Sequence, residues 1–456
     1  MRRPPYAVPS SRDGVVAAAA RVIGGPAGRY AAVGCRGLAG VASALIAMGS
    51  LMLALGVFQK GHCLTKGWVN PDQFWRTCYS DVPVLHVTSG LAGRELPYLG
   101  AAPLDQPLLS GLTMWLLSLV SPRAGTDVLA QQWIFSLWAV LAVLLMAAAV
   151  LAGVALRPGR PWQLAHLAAS PVLAVLALVS VDLLGIALVL WALLAWRRDH
   201  PAWAGILLGL AVLVRPYPLV FLAALVMIAL RVGRRREAAL ALVAAALAAL
   251  ALFLPFAVAA PEGTLLSLRN WWAMSPGYGA PALVPQLLGV PLPAPATTFI
   301  ALTGWLLAIV LGSWLTFGAR RPPTLVQVAA PMLLVVLLTS KAVPVQAGLW
   351  ILPLIALSVV PWRDHLIWAG AECLHFVAVW LHIGFGSDAG KGLPGDTYSL
   401  AIAVRFAALA WLVWRIWGGR TGGARVPHGR SSGLPVVATD FRSATPAGSP
   451  PTDTGR

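Results

Sequence analysis

The sequence predicts an all-α polytopic membrane protein, and three observations carry that prediction. Hydrophobic residues make up 59% of the 456-residue chain and charged residues only 11%, with a mean hydropathy of +0.78. A soluble domain carries roughly a quarter of its residues charged, so this composition has too little polar surface to cover itself in water. Apolar runs of about 17–25 residues recur from end to end, the length that crosses a hydrocarbon core as helix. No series of alternating strands of about ten residues accompanies them, which excludes the sequence signature of a membrane β-barrel. Finally, the net charge of +17 is one-sided. Basic clusters (Arg157 and Arg160, Arg197 and Arg198, Arg231 with Arg234–Arg236, Arg320 and Arg321, Arg363) fall in alternate short loops. The loops between them balance Lys and Arg against Asp and Glu, so the surplus is a positive-inside signal rather than a nucleic-acid surface.

With the basic loops in the cytoplasm, the expected spans are 37–58, 131–156, 163–181, 183–196, 202–214, 216–231, 238–257, 297–318, 324–340, 345–360, 365–385 and 399–417, which put both termini inside. The stretch "DQPLLSGLTMWLLSLVS" (105–121) is apolar enough to span, but counting it would move four arginines to the wrong side. It is read as a helix at the outer interface. Residues 1–36 form a basic cytoplasmic tail with no cleavage signal, 37–417 the transmembrane domain, and 418–456 a cytoplasmic tail of linker composition, expected to be disordered. Two extracytoplasmic loops are long, about 59–130 and 258–296, and the second carries Trp271–Trp272, a pair suited to the interface. Cys63 and Cys78 share the first of these loops, where an oxidising compartment permits a disulfide; two free thiols satisfy the sequence equally. Cys35 and Cys373 lie in or beside spans and read as packing residues.

The ionisable residues outside the basic loops gather at the outer ends of spans. Asp81, in "YSDVPVLH", reads either as a turn aspartate before Pro83 or as a general base. His86, five residues on, reads as a phosphate contact or a surface residue. Asp105 suits an N-cap before Pro107; Asp182 sits between two spans joined by almost nothing; Arg215 ("LVRPYPL") and Lys341 ("SKAVPVQ") are cations at outer turns. Each cation either snorkels to headgroups or binds phosphate, for which arginine offers a fork and lysine a point charge. Gln346 falls on the same face. Glu372 stands inside a span, with His375 or Arg405 as its expected partner. The outer loops hold no metal-ligand pattern and no phosphate-binding glycine loop, so neither a metal nor a cofactor is expected.

The order of these motifs resembles the actinobacterial polyprenyl-phosphate-mannose-dependent glycosyltransferases of family 87, membrane enzymes with the GT-C fold. "CYSDVPVLHVTSGLAGRELPYL", "DQPLLSGLTMWL", "SPVLAVLALVSVDLLGIALVL", "AGILLGLAVLVRPYPL", "SKAVPVQAGLWILPL" and "AECLHFVAVW" follow one another in the family's order across most of residues 40–417. The chain departs from the family's habits at three places: Arg215 for the lysine of K-x-Y-P, "DQP" for E-Y-P, and Ser180 for an asparagine before Asp182. The resemblance implies a GT-C fold of about twelve helices. It also implies transfer of a sugar, mannose, from a polyprenyl-phosphate donor to a glycolipid or envelope-glycan acceptor, with inversion, outside the plasma membrane. It gives Asp81 the role of base and Arg215 and Lys341 the donor phosphate, with Asp105, Asp182, His86 and Gln346 in support. The rival expectation is a lipid-linked sugar flippase, which needs charge deep in the bilayer and would rest on Glu372 and Arg405.

Overall fold

A computed structural model describes residues 37–100 and 102–418. The expected tails, apart from Gly418, and Cys35 lie outside the described residues. Within them the chain is helical, with no strand. The first long helix, α1 (Gly37–Gln59), runs into the first long loop, where the short helices Gly61–Lys66 and Asp72–Trp75 precede α2 (Asp81–Thr88). After α3 (Leu108–Val120) comes α4 (Val128–Leu156), started by Asp127, whose carboxylate accepts from the Ala130 amide at 3.1 Å. A broken segment containing α5 (Pro171–Leu176) leads to four antiparallel helices: α6 (Asp182–Arg197), α7 (Pro201–Val212), α8 (Pro218–Arg231) and α9 (Arg235–Ala259). The second long loop carries α10 (Leu266–Ala273). It is followed by α11 (Ala294–Phe317), α12 (Leu325–Thr339), α13 (Trp362–Phe385) and α14 (Gly395–Gly418).

Six of these segments are long and apolar enough to cross a membrane: α1, α4, α9, α11, α13 and Ala389–Gly418, which carries α14. The other six expected spans take different forms. The stretch read as 163–181 splits into Pro161–Leu164, Ala165–Ala168 and α5, because Pro171 has no amide to continue a helix and Ser170 accepts from the Val172 amide instead. The stretch read as 345–360 becomes a 3₁₀ turn, Val345–Ile351, and a short helix, Leu352–Ala356, with Pro344 and Pro353 at the breaks. Every residue of both pieces is buried, which is the condition under which irregular backbone is tolerated at membrane depth. Helices α6, α7, α8 and α12 hold 16, 12, 14 and 15 residues. They rise about 18–24 Å, short of the roughly 30 Å core. The 13 residues of α3 likewise reach only about 20 Å.

Packing follows small residues. Helix α7 lies along α9, where Gly205 and Gly209 meet the backbones of Ala241 and Ala245; a Cβ on either glycine would strike an alanine carbonyl. This small-xxx-small contact on both partners is how helices associate where lipid removes the hydrophobic drive. Leu247, Leu250 and Leu254 on α9 face outward, as lipid-facing residues do. At the basic end of the bundle several arginines hydrogen-bond the carbonyls of neighbouring helix ends. Arg197 reaches Ala155 at 3.0 Å, Arg231 reaches Thr316 and Ala319, and Arg157 reaches Leu357. Cation at helix C-terminus is favourable electrostatically as well as by hydrogen bonding.

Candidate active site

The first long loop fixes Asp81 against the bundle. A disulfide joins Cys63 to Cys78, settling the choice the sequence left open. Trp68, packed on Phe135 at 5.1 Å, donates from its indole to the Cys78 carbonyl at 3.0 Å. Ser80 donates from Oγ to the Leu178 carbonyl at 2.7 Å, and the Asp81 amide donates to the Val179 carbonyl at 2.6 Å. Asp81 is therefore not a loose turn residue. It opens α2, with Val82 and Pro83 buried behind it and the carbonyls just before Asp182 holding its backbone.

Asp182, the first residue of α6, is fully buried and collects several donors. Trp350 gives its indole N–H at 2.8 Å, Arg215 gives Nε to both oxygens at 3.2 and 3.3 Å, and Ser180 gives its hydroxyl. The serine found in place of the family's asparagine thus supplies a donor to the same carboxylate. Arg215 is 13% exposed, and its two terminal amino groups have no hydrogen-bond partner among the described residues. Its guanidinium is pinned by Nε with the rest of the fork available. Trp350 in turn packs edge-on against Tyr217 at 5.8 Å.

Asp81 lies within the electrostatic reach of this pair. Burial pushes its carboxyl up to about 6; Arg215 and a side-chain hydrogen bond with Tyr79 oppose that rise, Asp182 adds to it, and Lys60 opposes it. The Tyr79 ring packs against Trp380 at 4.6 Å and Phe74 at 5.7 Å. Burial, chiefly, holds its phenol protonated, so it stays a donor to the carboxylate. A partly buried carboxyl near neutral affinity, with a donor on one oxygen and a fixed cation nearby, can accept a proton from an incoming hydroxyl.

The remaining expected site residues have partners of their own. Lys341 is buried, its ammonium held by the carbonyls of Trp272 (2.9 Å) and Met274 (3.2 Å) and by Thr298 Oγ1 (2.6 Å), with the Trp271 ring 4.9 Å away. Asp105 does not cap α3, whose cap position is Pro107. Its exposed carboxylate accepts from Asn270 at 2.7 Å and links the two long loops. Those loops also meet where Gly263 approaches the backbone of Tyr98. His86 is buried rather than on the loop surface, and its Nε2 meets the Gly125 carbonyl at 3.1 Å. Gln346 is buried in the 3₁₀ turn that also carries Trp350. Inside the bundle Glu372 pairs with Arg405 through Nε at 3.0 and 3.1 Å, while His375 bonds Tyr398 at 3.2 Å; Arg405, not His375, is the partner.

Three contributors escaped the sequence reading. Tyr79 stands two residues from Asp81 and could have been found by adjacency. Lys60 looked like an ordinary flank at the end of α1. Trp350 is 168 residues from Asp182, and nothing local marks it. Among the described residues there is no cluster of metal-ligating side chains.

Fold and site together define a polytopic α-helical membrane protein with an acid–cation cluster at the end of its bundle opposite the arginine-capped one. The family model for glycosyltransferase family 87 matches residues 107–340, just over half of the chain, and the chain belongs to that family: it is a membrane glycosyltransferase. No curated protein and no solved structure matches it. The matched segment contains Asp182 and Arg215 but begins after Asp81.

Proposed function

We propose that the protein transfers mannose from a polyprenyl-phosphate donor to a glycolipid or envelope-glycan acceptor at the extracytoplasmic face of the plasma membrane, in a GT-C-type fold. The observation that carries the reading is the Asp81–Asp182–Arg215 arrangement, a proton acceptor beside a cation with an unpaired fork. Asp81 takes the proton from the acceptor hydroxyl as its oxygen bonds to the sugar's anomeric carbon. The bond from that carbon to the phosphate oxygen breaks on the opposite face, inverting the centre, and polyprenyl phosphate departs with the electron pair. Arg215, held at Nε by Asp182, places its free amino groups toward the leaving phosphate, where developing charge is greatest. Lys341 acts at the edge of the same donor site, through the loop around Trp271 and Trp272, and Asp105 sits at the seam of the two loops that form the acceptor cleft.

The flippase reading loses support from the deep charges it would need. Glu372 and Arg405 are buried at 2–3% exposure and pair with each other through the arginine Nε. The test is transfer from radiolabelled polyprenyl-phosphate mannose to acceptors in a membrane extract by the purified protein in liposomes. Transfer supports the proposal. Translocation without transfer, or full transfer by Asp81→Asn, overturns it.

A further inference from the structure

Lys60 is the side chain the reaction as described leaves without a task. It follows α1 directly, is fully buried, and its ammonium has no hydrogen-bond partner among the described residues. The face of Phe376 lies 4.8 Å from its Nζ. A cation–π contact of this kind recovers only part of what an ammonium loses on leaving water. Phe376 meets Trp380 edge-on at 6.1 Å, Trp380 packs on Tyr79 at 4.6 Å, and Tyr79 hydrogen-bonds Asp81. An aromatic wall thus stands around the base with a buried cation in it.

We propose that Lys60 is a positioning residue for the base: its ammonium, through the low-dielectric aromatic wall, holds the Asp81 carboxylate ionised and ready for the acceptor's proton. The inference rests on the proposed role of Asp81. The groups that act on Asp81 are Tyr79 on its own loop, Arg215 from the turn after α7, Asp182 from α6 and Lys60 from α1. The ionisable groups on elements near Lys60 are otherwise engaged. Asp72 pairs with His62, Glu372 with Arg405, His375 with Tyr398, and His382 with the Leu393 carbonyl. Asp81 is the charged group that acts on Lys60 against the burial that pulls the ammonium down to about 7. The coupling is reciprocal, so a positive Lys60 lowers the proton affinity of Asp81 across the acid range where Asp81 titrates.

The test is the pH dependence of transfer from polyprenyl-phosphate mannose by Lys60→Met and Lys60→Arg, with infrared titration of the protonated-carboxyl band that Asp81→Asn abolishes. Removing the cation should raise the acid-limb midpoint and the infrared midpoint together, by up to about half a pH unit, since Lys60 is the weakest of the groups acting on Asp81. Lys60→Arg should bring both back. Lys60→Met should melt no lower than the parent at neutral pH, since it removes a poorly compensated buried charge; Lys60→Gln gives the same comparison if the methionine variant does not insert. Unmoved midpoints in the charge-removed variants overturn the proposal, as does a shift that Lys60→Arg fails to reverse. Full activity of Asp81→Asn would instead strike the assignment of the base, while the infrared titration would still judge the coupling.

Discussion

At the scale of single residues, the site is a set of charges whose burial decides their chemistry. Asp81 with its carboxyl at about 6 implies an acid limb in kcat/KM near pH 6, lost to full activity above it; a profile flat between pH 5 and 8 would exclude this carboxyl as the base. Replacing Asp81 by Asn should reduce transfer by about 10²–10⁴-fold, the usual contribution of a general base. Stability should move the other way. A carboxyl whose affinity is raised in the fold binds its proton more tightly folded than unfolded, so stability falls as pH climbs from about 4 through about 6. Asp81→Asn should therefore melt at or above the parent temperature at pH 7.5, and a lower melting point would refute the argument. Trp350→Phe keeps the packing but removes a donor to a buried carboxylate, an interaction worth about 1.5–3 kcal/mol. We expect it to loosen Arg215 and raise KM for the donor more than it lowers kcat.

Among the elements, the bundle depends on places where backbone meets backbone. Gly209→Val forces a branched side chain into the Ala245 carbonyl and should cost about 1–3 kcal/mol, measured as a lower melting temperature in detergent. The first long loop depends on its crosslink. Replacing Cys63 and Cys78 together by Ser opens a separation of 15 residues and should cost about 3 kcal/mol of loop order. Because that loop presents Asp81, the double variant should lose transfer before it loses the transmembrane bundle, which protease sensitivity confined to residues 60–80 would show. How well each element could be read from sequence differs for physical reasons. The length and apolarity of α1, α4, α9, α11, α13 and α14 are properties of the chain itself. The breaks before Pro171 and at Pro353 are marked by proline, yet hydropathy alone cannot tell a lipid-facing run from one wrapped in protein, so both stretches read as spans.

For the whole molecule, the charge asymmetry has two physical expressions. The arginines at one end cap helix carbonyls, and the acid–cation cluster occupies the other end, reached through the turn at 213–217 and the start of α6. If the first of these faces the cytoplasm, a cysteine placed at exposed Ala124 should react with an impermeant reagent in intact cells, and one at exposed Arg320 should not. Labelling in the reverse pattern would invert the topology and remove the site from the extracytoplasmic face.

The sequence by itself determined the class, the long helices, the gathering of the arginines at one end and the candidate base, because hydrophobic length, charge sign and a short local motif are written in consecutive residues. It also placed Asp182 and Arg215 at the same level, since two short antiparallel helices leave little choice. Only the tertiary structure decided that Arg215 is held by Asp182, that Trp350 completes that clasp from a distant 3₁₀ turn, that Lys341 is held by three oxygens of the second loop's surroundings, and that Lys60 is buried behind Asp81. Those relations depend on which backbones come together, and burial and electrostatic coupling are properties of that assembly rather than of any run of residues.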